Sequence, residues 1–253
     1  MISIVTPVMT VHPIVINLTM NQVKFIQDNT VNKWELIYII HGRLNKEILE
    51  VPKWNKLLIE KLKEIPNVRL KVYDRNLGIA EAFNVGFSMA KGDIYCLMHN
   101  DIELPHGWDL ILYEAAKSGV LAFPIVEESE ACKLRGVKPM FSDQVPSCCW
   151  MLSKEVWDEI GGMDEDFEDI HWEDTDFFMR AKKAGKRFAR CNVKVFHYRA
   201  ATRTLLPDKG NGNFMINQAK YCAKHGVKLD KADDLPRLGP EAVSAGESKA
   251  ELA

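Results

Sequence analysis

Four polar residues fall within positions 99–103: His99, Asn100, Asp101 and Glu103. They follow an apolar run directly and precede Pro105 and Gly107. Carboxylates in an Asp-x-Glu loop are hard oxygen donors. They suit a divalent cation whose other positions are filled by phosphate oxygens. The same residues also suit a solvated loop closed by an Asx-turn, and spacing alone does not separate the two. A second cluster is denser, with eight acids among the thirteen residues at 164–176. Glu173, Asp174 and Asp176 fall where a helix should begin, and the helix dipole favours carboxylates there. They are either N-terminal helix charges or, with Trp172 beside them, include a carboxylate desolvated in a cleft. A carboxylate of the second kind can act as a general base. A third candidate is His197, which ends the run VKVF as either a structural histidine or a metal ligand.

The elements around these clusters follow from hydrophobic periodicity. Residues 2–6 read as a buried strand stopped by Pro7, and 12–27 carry apolar residues at helical spacing. Buried strands follow at 34–40, 68–73 and 93–98. Helices lie between them, at 45–64 (interrupted near Pro52) and at 79–90. The pattern continues with a helix over 107–117, a strand over 119–126, a polar loop over 127–146 and a strand over 147–152. Ser153 has the type and place of an N-cap for a helix at 154–160, which Gly161 and Gly162 end. The acidic segment runs into a helix that reaches Ala184. A strand over 187–197 and a helix over 213–225 complete the order. Residues 231–253 lack aromatics and read as a disordered tail.

Strands alternating with helices predict an α/β fold with a doubly wound, mostly parallel sheet. In such sheets ligands gather at the carboxyl ends of strands, where 99–103 and His197 both fall. The chain's 253 residues carry a net charge of −2, which gives no support to nucleic-acid binding. No apolar run reaches the ~18 residues of a spanning helix. No basic leader precedes an apolar stretch, and the six cysteines lack CxxC spacing. Free thiols in a reducing cytoplasm are the expectation. There is no GxGxxG, no GxxxxGK[ST] and no GxSxG, which argues against a dinucleotide fold, a P-loop and a hydrolase elbow.

In order as well as type, these clusters resemble the family 2 glycosyltransferases of GT-A fold. The carrying segments are IVTPV, NLGIAEAFNVGFSMAKGDIYCLMHNDIEL, GGMDEDF…WEDTDFFMRAKKAG and FHYRAAT. The resemblance covers about residues 1–226. It implies one Rossmann-like GT-A domain over 1–230, with a smaller acceptor-side subregion, divided into a nucleotide-sugar half (1–104) and an acceptor and catalytic half (105–230). The implied activity is metal-dependent, inverting transfer of a sugar from a nucleotide-diphosphate donor, UDP by preference, to an acceptor hydroxyl. The acceptor class (glycan, lipid, protein or small molecule) and the oligomeric state are not legible.

The resemblance also implies roles. Asp101 would hold Mn²⁺ or Mg²⁺ with His197, and Asp174 would be the base, with Glu173 beside it. Thr6, Pro7, Val8, His41, Asn76, Gly78, Asn84, His99, Asn100 and Asp101 would line the donor pocket. Trp150 and Trp172 would flank sugar or acceptor. Two positions depart from the family pattern. His41-Gly42-Arg43 stands where an acidic turn is usual, and His99 stands where the family places an acid. Two alternatives remain: a nucleotidyltransferase, and a sugar- or nucleotide-binding protein without turnover on the same scaffold.

Overall fold

The computed structural model describes residues 1–42, 51–128, 145–198, 201–202, 205, 213–229 and 242–243. Nine strands form one sheet: β1 (Ile2–Val8), β2 (Trp34–Ile40), β3 (Val68–Val72), β4 (Ile94–Met98), β5 (Ile102–Glu103), β6 (Leu121–Glu128), β7 (Cys149–Ser153), β8 (Phe188–His197) and β9 (Ala242–Val243). The helices are α1 (Pro13–Asn29), α2 (Val51–Leu62), α3 (Gly78–Ser88), α4 (Asp109–Lys117), α5 (Lys154–Ile160), α6 (Glu173–Lys183) and α7 (Phe214–His225).

The sheet order is β3-β2-β1-β4-β7-β6-β8-β5, with β9 beside β8. β1 to β4 are mutually parallel, as the βαβα alternation dictates. β7 then runs antiparallel to β4, and β6 antiparallel to β7. Residues alternate between the two faces. Leu36, Tyr38 and Ile40 join one core under α1 and α2, while Ile37 and Ile39 join another under α3, α5 and α6. Gly86 lets α3 settle on β1, since a Cβ there would lie 2.2 Å from Val5 Cγ1.

One connection shapes the site. Only residues 99–101 separate β4 from β5, yet β7, β6 and β8 lie between these strands in the sheet. Four flat strand spacings amount to ~19 Å, whereas the link from Met98 to Ile102 spans at most ~14 Å. The sheet therefore curls, and its far edge returns to the end of β4.

Four details differ from the sequence reading. β1 runs through Pro7 to Val8, because β4 pairs with it only as far as Val5. Beyond that point one side of β1 has no ladder, and a residue without an N–H is tolerated. β5 was not expected, and β6 reaches Glu128. In the segment 231–253, Ala242 and Val243 pair with Arg190 and Cys191, and the rest of it lies outside the described residues. So do Arg43 and 129–144 of the expected loop. Ser153 caps α5 by accepting the Val156 N–H. The five described cysteines are free thiols. Among the described residues no helix is long and apolar enough to cross a membrane.

Candidate active site

The curl brings the ends of β4 and β8 together. His99 is fixed by its own backbone. Its N–H donates to Cys148 O at 2.8 Å, and its carbonyl accepts from Gln22 Nε2 at 2.8 Å. Gln22 is itself held, donating to Thr6 Oγ1 and accepting the Tyr38 hydroxyl. Across the sheet, Ile102 lies opposite His197, and Tyr198 N–H donates to Asp101 O at 3.0 Å. This ladder sets His197 Nε2 3.1 Å from Asp101 Oδ1. The rings of His99 and His197 lie 5.7 Å apart between centroids. One donor atom each from His99, Asp101 and His197 lie within 4.8 Å of one another, a spacing that fits a shared cation.

The charges of Asp101 and His99 agree with such a role. Burial pushes the Asp101 carboxyl up, but His197, His99 and the Ala201 N–H outweigh it and hold the group at about 2. Burial, helped by the charge of His197, takes His99 down to about 4 and leaves its imidazole neutral near pH 7. Burial works against protonation of His197 too, yet Cys148 and Asp101 carry it well above the ordinary histidine range. Asn100 does not join the cluster, because its side chain donates to Thr19 Oγ1 on α1.

The second cluster begins with a strained turn. Asp169, His171 and Trp172 have φ of 59°, 83° and 75°, the left-handed region that non-glycine residues rarely adopt. Asn217 of α7 holds the turn from within. Its buried Nδ2 donates to the carbonyls of Glu168, Ile170 and His171 at 2.8, 3.2 and 3.0 Å. Asp169 bridges the turn to α3, accepting from Asn76 Nδ2 at 2.6 Å while its carbonyl accepts the Ile79 N–H at 2.8 Å. Gly78 makes this docking possible: it has φ +71°, and a Cβ there would lie 2.9 Å from Asp169 N.

Three acids leave this turn with three fates. Asp174 is half-buried, accepts the Thr175 N–H at 2.6 Å, and lies near enough for its charge to act on His99. Glu173 is buried, and its Oε2 has no partner. Desolvation, with the Asp174 charge adding, pushes that carboxyl well above the usual range. Asp176 is buried and held by Arg180, His225 and Lys224, so it belongs to the scaffold.

The remaining expected residues divide. Thr6, Pro7 and Val8 end β1 beside β2, and Thr6 is occupied by Gln22. His41 is buried, and burial pushes its imidazole down to about 4. Its Nδ1 accepts the Leu77 N–H at 3.3 Å and lies 3.2 Å from Asn76 Oδ1. His41 thus braces the entry to α3. Asn84 exchanges two hydrogen bonds with the Met163 backbone, at 2.9 Å each, which ties α3 to the turn after α5. Trp172 is half-buried against Phe214 and Tyr221, with Nε1 unpartnered. Trp150 is a correction. It is 1% exposed and packs on Phe123, Phe177 and Phe178, so it is a core residue and presents no face to a sugar. The sequence reading missed Gln22 and Asn217. Gln22 carried a signal, as a polar residue on the apolar stripe of α1. Asn217 shares a helix face with Tyr221, four residues on, which is a weaker one.

The description "Glycosyl transferase family 2" matches residues 56–188, just over half of the chain. No curated protein sequence matches it. Among solved structures, the mannosyltransferase PcManGT of Pyrobaculum calidifontis, in complex with GDP-Man and Mn²⁺, is similar at TM-score 0.60 and 14% identity. That likeness covers 89% of this chain and 65% of the other. GalNAc-T7 with UDP, GalNAc and Mn²⁺ is similar at TM-score 0.57 and 15% identity, over 78% and 43% of the two chains. TarS 1-349 of S. aureus gives TM-score 0.57 and 11% identity, over 92% and 68%. The chain thus spans less than two thirds of the first two proteins. At these identities the likeness establishes a shared GT-A fold.

Proposed function

The chain belongs to glycosyl transferase family 2, and we propose that it transfers a sugar, with inversion, from a nucleotide-diphosphate donor to an acceptor hydroxyl. The observation that carries this reading is the convergence of His99, Asp101 and His197, with Asp174 near enough for its charge to act on His99. A divalent ion held by the first three would supply Lewis-acid charge opposite the departing diphosphate. Asp174 takes the proton of the acceptor hydroxyl. The acceptor oxygen bonds to the anomeric carbon while the bond from that carbon to the phosphate oxygen breaks, and nucleoside diphosphate leaves.

Asn76 and Gly78 serve this reading by fixing the entry to α3 against the Asp169 turn. Thr6, Pro7, Val8 and His41 stand at the carboxyl ends of β1 and β2, where such sheets keep their ligands, and in this reading they face the nucleotide. Trp172, next to Glu173, is the remaining aromatic for the sugar or acceptor. UDP is proposed as donor nucleotide; one neighbour was solved with UDP and another with GDP-Man, so both are tested. The free cysteines fit a reducing, cytoplasmic setting. The test is a thermal-shift panel of UDP- and GDP-sugars with Mn²⁺ or Mg²⁺, followed by assay of the released product. A stabilising nucleotide sugar and released nucleoside diphosphate are expected. Pyrophosphate instead would make the protein a nucleotidyltransferase, and stabilisation without turnover across acceptors would make it a binding protein.

A further inference from the structure

The cation cluster offers two imidazole nitrogens and one carboxylate oxygen, all within 4.8 Å of one another. The family resemblance implies an acid where His99 stands. The main chain at each donor is held by bonds that need no ligand. Cys148 and Gln22 hold His99 from both sides, Tyr198 N–H holds the Asp101 carbonyl, and the β5–β8 ladder places His197 opposite Ile102. Such a site stands ready at the ends of paired strands rather than being assembled around an arriving diphosphate.

We propose that this is a two-histidine, one-carboxylate site that binds a divalent first-row transition ion without nucleotide and rejects Mg²⁺, with His99 deciding the preference. The inference rests on reading the cluster as the cation site of the proposed transferase. Mg²⁺ is small, demands near-octahedral oxygen ligands and gives up water reluctantly. It favours carboxylates, and an imidazole in place of one removes a negative charge and a hard oxygen together. Imidazole nitrogen instead suits later transition ions, whose affinity at a given site rises from Mn²⁺ through Co²⁺ to Ni²⁺. Three protein donors leave the other positions to water or phosphate oxygens.

The test is calorimetric titration of Mg²⁺, Mn²⁺ and Co²⁺ into the metal-free full-length protein with no nucleotide present. Wild type, His99→Ala and His99→Asp are compared, and visible absorption of the Co²⁺ complex reports its ligand field. Wild type is expected to bind Co²⁺ more tightly than Mn²⁺ and to show no saturable Mg²⁺ binding at millimolar concentrations. His99→Ala should weaken Co²⁺ on the order of 100-fold, the upper end of what losing even an outer-shell partner costs. His99→Asp should narrow the preference for Co²⁺ over Mg²⁺ by about tenfold or more. A melting curve in chelator checks each variant's fold, and His99→Asp decides the matter if His99→Ala does not fold. Mg²⁺ binding as tightly as Co²⁺ to wild type, or Co²⁺ affinity unchanged by both substitutions, would overturn the proposal. Should Co²⁺ bind as expected while no nucleotide sugar raises the melting temperature, the transferase reading fails and the metal assignment stands.

Discussion

Two buried glutamates occupy opposite ends of the fold's logic. Glu35 on β2 is 6% exposed and Glu173 at the start of α6 is 5% exposed. Glu35 Oε1 accepts the Ser3 hydroxyl at 2.7 Å and the Lys91 N–H at 2.6 Å, while Oε2 accepts from Arg69 at 2.9 Å. Burial alone would raise its carboxyl, yet these bonds outweigh it and hold the group below the ordinary range. At Glu173 burial wins, and Oε2 is left unpartnered. Of five buried side-chain polar atoms without partners among the described residues, three belong to Trp172, Glu173 and Asn217. At equal burial, Glu35 is satisfied by the fold around it and Glu173 keeps one oxygen without a partner. A buried carboxylate with both oxygens bonded is spent on the framework, whereas one with an oxygen to spare keeps a capacity the fold does not use.

The comparison can be broken at several points. The largest expected effect is on chemistry. Asp174→Asn should lower the release of nucleoside diphosphate by ~10³-fold, within the range of a lost general base, and leave donor-induced thermal stabilisation intact. Unchanged turnover would remove Asp174 from the reaction. Next in size is Glu35→Ala, which strands Ser3, Arg69 and the Lys91 N–H. Because Arg69 is partly exposed, its cost should fall near the low end for a broken buried pair, about 3 kcal/mol by denaturant titration. Asn217→Ala should cost about 2 kcal/mol, as three carbonyls lose a buried donor, and should lower kcat more than it raises KM. A purely structural Asn217 would leave kcat alone.

The pH signatures of the two glutamates should oppose each other, at up to about 1.4 kcal/mol per pH unit. Glu35 has a depressed folded-state pKa, so its advantage over Glu35→Gln is present above the ordinary value of 4.5 and disappears as pH falls through the folded value. Glu173 has a raised one, so the folded wild type weakens relative to Glu173→Gln as pH rises above 4.5. Parallel profiles in urea melts would end the contrast. Smallest is Glu173→Gln at pH 5, where the folded carboxyl is already protonated. It should shift stability by less than about 1 kcal/mol, the value of one ordinary hydrogen bond.

Much of this was legible in the sequence, because period and caps are local. The strands at 34–40 and 93–98, the Ser153 cap and the helix through 154–160 all follow from residue type and spacing. What needed the structure was register and curl. Trp150 has the composition of a stacking platform, but pairing with Leu97 turns it into the face that Phe123, Phe177 and Phe178 fill. β5 is two residues long, too short for any periodicity. The triad was half visible. Asp101 and His197 stood out at strand ends, but their meeting depends on a sheet bent far enough to bring them together. Asn217 lies more than 40 positions from the carbonyls it holds, a distance at which no sequence window can pair them.

The three-residue link between β4 and β5 also bears on the order of folding. Asp101 and His197 are 96 positions apart, and their contact requires β8 to be in place against β5. Contacts of such long range form late, after the local βαβ units have condensed. A nascent chain that has emerged only as far as β7 already carries His99 and Asp101 but no His197. Ion loading would therefore report that the second half of the polypeptide has been made and has docked, and catalytic competence would arrive with the final seam of the sheet.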